Sequence, residues 1–216
     1  MKKFAVILAG CGVYDGAEIH EATLSLWAIM KNGATYEVFA PDKPQMHVVN
    51  HLTGKEMPET RNVLVESARI ARGNIKPLAD YDPSGFDALL LPGGFGVAKN
   101  LCDFAVKGSD MSVDPEVEKA LRATAGAGKP IGALCISPVI LSKVFGDVRI
   151  TLGQDPSSVE AVERMGSRHV RTTHGDVVTD ERHRFFTTPC YMLDANIVQI
   201  GEGAENIVKA ILDSLR

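Results

Sequence analysis

Short, continuous apolar runs alternate along the chain with longer stretches in which apolar residues recur every three or four positions. The first pattern predicts strands buried on both faces, as in a parallel sheet, and the second predicts the helices that cover them. The clearest strands fall at 4–9, 36–40, 87–91 and 130–134, with weaker ones at 148–151 and 184–188. The last fits a hairpin reached through Gly175 and Asp180. Helices fit between the strands at 16–32, 59–71, 114–127, 137–145, 157–165 and 203–215. Asp15 is positioned to cap the first, with Glu18 completing a capping box and Gly33 ending it. Asp114-Pro115 opens another in the same way, an acidic cap followed by proline at the first helical position.

Repeated strand-helix-strand order implies right-handed crossovers and an α/β, doubly wound sheet. Ligands in such sheets sit beyond the carboxyl ends of the strands. The length of 216 residues fits one domain spanning 1–216, with no repeat, low-complexity tract or linker. The polar stretch 41–58 is long for a crossover and leaves room for a strand, a lid or a partner-facing excursion.

Composition removes several classes of function. A formal net charge of -4 leaves no clustered Lys and Arg for nucleic acid. The one basic run, Arg182-His183-Arg184, is flanked by Asp180 and Glu181 and reads as a solvated turn. No apolar stretch reaches the ~20 residues that span a bilayer. Residues 1–11 imitate a lipoprotein signal ending in Leu-Ala-Gly-Cys, but the apolar run is short for one and reads as a buried first strand. The four cysteines, Cys11, Cys102, Cys135 and Cys190, lack metal or redox spacing, so reduced thiols and a cytoplasmic location are expected.

Chemistry concentrates at Gly132-Ala133-Leu134-Cys135-Ile136-Ser137-Pro138. Apolar strand, cysteine, then helix is the layout of a nucleophile elbow, in which a sharp turn lifts one side chain above the sheet. A helix N-terminus favours thiolate over thiol, so the local pattern predicts a lowered Cys135 pKa. The plain alternative is a small buried hydrophobe. Leu91-Pro92-Gly93-Gly94-Phe95-Gly96 follows another strand and reaches the same sheet edge. There the Gly94 and Ile136 N–H groups could form a two-donor oxyanion hole, and the alternative is a strand-ending turn.

Glu21 lies one turn into the first helix, whose apolar positions Ile19, Ala22, Leu26, Trp27 and Met30 form the main stripe. Leu24 and Ala28 form a second line in register with Glu21. In apolar surroundings its carboxyl stays protonated near neutrality, able to donate to a thiolate and shuttle a proton. On a solvent face it would be an ordinary helix glutamate.

Three segments together carry a resemblance: Gly16-Ala17-Glu18-Ile19-His20-Glu21, Leu91-Pro92-Gly93-Gly94-Phe95-Gly96 with Ala98-Lys99-Asn100-Leu101, and Leu134-Cys135-Ile136-Ser137-Pro138. They resemble the PfpI superfamily of class I glutamine amidotransferase-like proteins. Gly10-Cys11-Gly12-Val13-Tyr14-Asp15-Gly16, Asn50-His51-Leu52-Thr53-Gly54 and Thr187-Thr188-Pro189-Cys190-Tyr191-Met192 look like its ElbB branch, described as isoprenoid-biosynthesis-associated and glyoxalase-like. The resemblance spans nearly the whole chain.

It implies a flavodoxin-like three-layer α/β/α sandwich with a mainly parallel sheet, a homodimer, Cys135 as nucleophile, Glu21 as its acidic partner, and Gly94 with Ile136 as oxyanion donors. It also implies a lyase-type conversion of a small aldehyde, glyoxal or methylglyoxal, to the hydroxy acid with no glutathione, cofactor or metal. Many relatives place a histidine beside the elbow cysteine; here that region reads Thr151-Leu152-Gly153-Gln154-Asp155. His174-Gly175-Asp176 imitates the amidotransferase His-x-Glu but comes early and reads as a turn. His20 could orient Glu21, and Cys11 and Cys190 could line the pocket. A redox- or stress-responsive reactive-cysteine protein and an accessory protein of isoprenoid metabolism are the rival expectations.

Overall fold

The computed structural model describes residues 1–216. Strand β1 (Lys3–Ile7) runs through the middle of the sheet, and residues 4–8 are wholly inaccessible because both faces are covered. A tight loop leads to α1 (Ile19–Lys31) and β2 (Thr35–Ala40). An excursion then carries the small hairpin of β3 (Val49–Asn50) and β4 (Lys55–Glu56), before α2 (Val63–Ile70) and the edge strand β5 (Ile75–Pro77). Strand β6 (Ala88–Leu91) ends in the glycine loop and a π-helical turn, Val97–Leu101; α3 (Phe104–Lys107), α4 (Pro115–Gly126) and β7 (Ile131–Leu134) follow. The C-terminal part holds α5 (Pro138–Phe145), β8 (Arg149–Ile150), α6 (Pro156–Arg164), β9 (Arg168–His169), β10 (Val178–Asp180), β11 (Phe185–Thr188) and α7 (Ile197–Asp213).

The main sheet has the order β10-β11-β7-β6-β1-β2-β5. Every neighbouring pair is parallel except β10 and β11, which form the expected hairpin. From β1 the chain winds out to β2 and β5, then returns to lay β6 on the other side of β1. The β1–β6 gap is therefore the topological switch point, where the loops after neighbouring strands diverge and leave a crevice.

Alternation along the strands sends side chains to two cores. Phe4, Val6, Leu8, Val38 and Leu90 meet α1 and α7 on one face. Ala5, Ile7, Phe39, Leu89, Leu91 and Ile131 meet α4, α5 and α6 on the other. The architecture is the three-layer, flavodoxin-like α/β/α sandwich.

Several elements differ from the sequence reading. The first helix begins at Ile19 and is capped by Glu18, whose carboxylate accepts from Glu21 N–H at 2.8 Å; Asp15 instead accepts from Val49 N–H and anchors the excursion. Its inward face is Glu21, Ala22, Ser25, Leu26, Ala28 and Ile29, whereas Ile19, Trp27 and Met30 of the expected stripe are exposed. The helix read at 59–71 starts at Val63 under an Asn62 cap. The one read at 203–215 starts at Ile197, where Asn196 and Gln199 form a capping box. The strand read at 148–151 shrinks to β8 and pairs with β9 in a separate two-stranded sheet. Asp114 and Pro115 open α4 as read. No helix is long and apolar enough to cross a membrane.

Candidate active site

Cys135 follows the last residue of β7 with φ of 59°. A non-glycine residue rarely adopts this left-handed conformation, and the strain is held here by packing on every side. Its N–H donates to Thr188 O of β11 at 3.0 Å. The buried Ser137 hydroxyl donates to Pro92 O at 2.8 Å, tying the elbow to the glycine loop. The side chain therefore projects into the switch-point crevice, as a nucleophile elbow requires.

Two glycines bring the second loop up to the cysteine. A Cβ at Gly93 would lie 2.4 Å from the Cys135 Cβ, 2.6 Å from Glu21 Oε2 and 3.0 Å from the Cys135 sulfur. Gly94 has φ of 103°, and a Cβ there would lie 2.4 Å from Glu18 N. Only bare backbone lets the β6 loop pass between α1 and the elbow.

Glu21 is fully buried. Its Oε2 accepts from Gly93 N–H at 2.8 Å and its Oε1 from Tyr191 N–H at 3.2 Å. Burial, reinforced by the Glu18 charge, raises its pKa from 4.5 to about 7, while the hydrogen bonds from Tyr191, Gly93 and the Cys135 thiol pull the other way. The expectation of a desolvated carboxyl titrating near neutrality thus has a physical basis here.

The lowered cysteine pKa expected from the helix N-terminus does not. Burial, and then the Glu21 charge, push the Cys135 thiol well above its ordinary value; the Gly94 and Ile136 N–H groups, which face the sulfur, oppose this without prevailing. At rest Cys135 is a thiol directed at the Glu21 carboxyl, with two backbone donors converging on the same atom. Cys135, Glu21, Gly94 and Ile136 are therefore brought together.

The crevice opens as a cavity of about 470 Å³. Val13, Phe95, Phe104, Ile136 and Met192 give it apolar walls, and Glu18, Asp155 and Tyr191 give it polar ones. Sequence reasoning missed Glu18, Phe104 and Tyr191 as walls. A smaller hollow of about 240 Å³ beside Tyr81 and Ala120 is lined by no cysteine, serine or histidine.

Other candidates lie elsewhere. His20 is exposed, with Nδ1 2.8 Å from the Tyr191 hydroxyl, so it steadies Tyr191 and does not contact Glu21. Cys190 sits behind the cavity, its sulfur 3.3 Å from where a Gly203 Cβ would be. Cys11 lies near Glu66 and Arg69, away from the cavity wall. Asp155 reaches the wall, but its Oδ2 caps α6 through Ser158 N–H at 2.9 Å. His174-Gly175-Asp176 forms a turn closed by Asp176 N–H to Thr173 O, and no histidine lines the cavity.

Sheet order, elbow cysteine and glycine loop define a class I glutamine amidotransferase-like protein. No family model matches the chain. It is 43% identical to the ES1 protein homolog, mitochondrial, of Rattus norvegicus, over 98% of this chain and 83% of that one. It is 42% identical to the human glutamine amidotransferase-like class 1 domain-containing protein 3, mitochondrial, over 98% and 82%. The crystal structure of an isoprenoid biosynthesis protein with amidotransferase-like domain from Ehrlichia chaffeensis superposes with a TM-score of 0.93 at 36% identity, covering 100% of both chains. The chain belongs to this ES1 and glutamine amidotransferase-like class 1 domain-containing family.

Proposed function

We propose that the protein is a glyoxalase-like enzyme that converts glyoxal or methylglyoxal to the 2-hydroxy acid through a Cys135 hemithioacetal, without glutathione. The observation that carries this reading is the convergence of the Cys135 thiol, the Glu21 carboxyl and the Gly94 and Ile136 N–H groups at the floor of one cavity that no histidine lines. Amide hydrolysis needs a group to protonate a poor amine leaving group, and the histidine that usually does so is missing. Addition of a thiol to an aldehyde expels nothing.

In the proposed sequence, sulfur bonds to the aldehyde carbon while Glu21 takes the thiol proton. The carbonyl oxygen gathers negative charge against the Gly94 and Ile136 N–H groups. Glu21 passes the thiol proton to that oxygen, completing the hemithioacetal; as a carboxylate again it removes the hydrogen of the former aldehyde carbon and returns it to the adjacent carbon while the hydroxyl proton moves to the neighbouring oxygen, giving a thioester. One carbon is oxidised and its neighbour reduced, so no external oxidant is needed. Water cleaves the thioester, releases glycolate or lactate, and restores the thiol.

We further place the chain in the ElbB branch. Two of its three marker segments pack on each other: His51 Nε2 accepts from Tyr14 N–H at 3.1 Å, and the Ehrlichia relative is named as an isoprenoid biosynthesis protein. A single domain, a homodimer and a reducing compartment complete the proposal. The exposed Ile19, Trp27 and Met30 of α1 are the apolar side chains a dimer would cover, and the four cysteines are free thiols. The compartment is cytoplasmic or mitochondrial, the latter being named for the rat and human relatives.

The test is turnover. Purified protein given methylglyoxal forms lactate, and Cys135→Ala, folded by circular dichroism, forms none; equal turnover by that variant overturns the mechanism. If no aldehyde is consumed while mild peroxide oxidises Cys135 alone, the reactive-cysteine reading replaces it.

A further inference from the structure

The charges around the cavity are all of one sign. Among its lining residues Glu18 and Asp155 are ionisable carboxylates, and no Lys, Arg or His is present. Glu18 is only 8% exposed. Its Oε2 accepts from Glu21 N–H at 2.8 Å, its one side-chain hydrogen bond, and the side chain lines the cavity. Asp155 accepts from Ser158 N–H and the Ser157 hydroxyl through Oδ2, and the Ser158 hydroxyl also faces its carboxylate. Neither carboxylate has a cationic partner. Two buried carboxylates away from the cavity do: Glu66 pairs with Arg61 and Arg69, and Asp180 lies 3.0 Å from His183 Nδ1.

The opposing fields are weaker. Glu18 and Asp155 cap α1 and α6, and a full negative charge at each cap outweighs the roughly half positive charge of a helix N-terminus. The Lys99 ammonium lies 5.7 Å from the centroid of the Phe95 ring and is committed to Tyr14 O at 2.8 Å, and Lys99 does not line the cavity. A buried carboxylate lining an apolar space of about 470 Å³ is a recognition group. That volume far exceeds what a two- or three-carbon aldehyde fills.

We infer that Glu18 and Asp155 make the cavity charge-selective, so that it admits neutral or cationic carbonyl compounds with an apolar body and turns away those bearing a carboxylate or phosphate. This deepens the function proposed above, and its substrate form rests on that reading. The selectivity itself is a property of access to Cys135 and is testable without turnover.

The full-length protein carrying Cys11→Ser is treated with two methanethiosulfonates of equal reach, one ending in trimethylammonium and one in sulfonate. Each forms a mixed disulfide with a thiol and expels methanesulfinate. Rates at Cys135, located by mass spectrometry and divided by those of a free thiol, are expected to favour the cation by about tenfold or more at low salt. Glu18→Gln and Asp155→Asn each keep a capping oxygen, and each should cut that ratio about threefold. A ratio near one, a faster anion, a ratio unchanged in both variants, or no labelling of Cys135 by either reagent overturns the inference.

Turnover of phenylglyoxal and its para-carboxy and para-trimethylammonio derivatives supplies the second arm. Consumption of the neutral and cationic aldehydes, with the carboxylate turned over at least tenfold more slowly, supports both readings. A charge-selective thiol with no aldehyde turnover keeps the inference and removes the glyoxalase; turnover indifferent to charge does the reverse.

Discussion

Glu21 and Cys135 press on the same bare Cα: a methyl group at Gly93 would lie 2.6 Å from the carboxylate Oε2 and 2.4 Å from the cysteine Cβ. Neither neighbour can retreat, since the carboxylate is held by two backbone N–H groups and the cysteine Cβ is fixed to the elbow. Gly93→Ala is therefore expected to lower turnover at least a hundredfold and stability by about 2 kcal/mol. Gly126→Ala, in open space at the end of α4, is the control and should be neutral or mildly stabilising. Thermal denaturation and initial rates of both variants decide the point.

The carboxyl pKa makes stability depend on pH in a defined direction. Glu21 binds its proton more tightly in the folded protein, at about 7, than at the ordinary 4.5. Its contribution is fully present below pH 4.5 and is lost as pH rises through 7. Glu21→Gln removes this titration, although its NH2 then opposes one of two backbone donors at a pH-independent cost. Unfolding in denaturant at pH 5 and pH 8 should show the wild type losing about 3 kcal/mol relative to the variant. A difference that is flat with pH would mean that Glu21 is ionised throughout.

Thiol reactivity should follow the same group. Cys135 is held above its ordinary value of 9.0, so no thiolate plateau is expected near neutrality. Attack becomes easier once Glu21 is ionised and able to take the proton. The rate of alkylation by iodoacetamide, a neutral reagent, should step up near pH 7 in the wild type and lose that step in Glu21→Gln. A plateau already complete at pH 6 would instead establish a low-pKa thiolate.

What the sequence disclosed about this site was local. A strand, a cysteine and a helix in succession, or a glycine pair after a strand, are read from neighbouring residues, and Cys135, Gly93 and Gly94 stand where that reading puts them. Glu21 was legible because one helix carries it with its apolar neighbours. The errors came from distant packing. Apolar residues on several sides of α1 do not say which side meets the sheet, and the sheet selected Ala22, Leu26 and Ile29 over Ile19, Trp27 and Met30. A helix N-terminus does favour thiolate at Cys135, but burial beneath segments far away in sequence outweighs it. Tyr191, Phe104 and Glu18 carry no local signal that they share one cavity.

Asn100 shows the same dependence on long-range structure in a form that can be measured. It lies in the π-helical turn, is almost wholly buried, and uses its side-chain amide three times. Nδ2 donates to Ala9 O and Asp15 O, both at 2.9 Å, and Oδ1 accepts from Met46 N–H at 2.9 Å. One side chain thus joins the end of β1, the loop leading to α1 and the excursion, and these segments position Glu18 and Glu21. Asn100→Leu fills comparable space but strands three backbone groups, which should cost about 3 kcal/mol. Asn100→Asp keeps the acceptor, turns both donor bonds into oxygen facing oxygen, and should be at least as damaging. Both variants should lose turnover at temperatures where they remain folded, because the α1 entry loop is no longer tied to β1. Unchanged denaturation midpoints would show that water replaces the amide and that the loop holds without it.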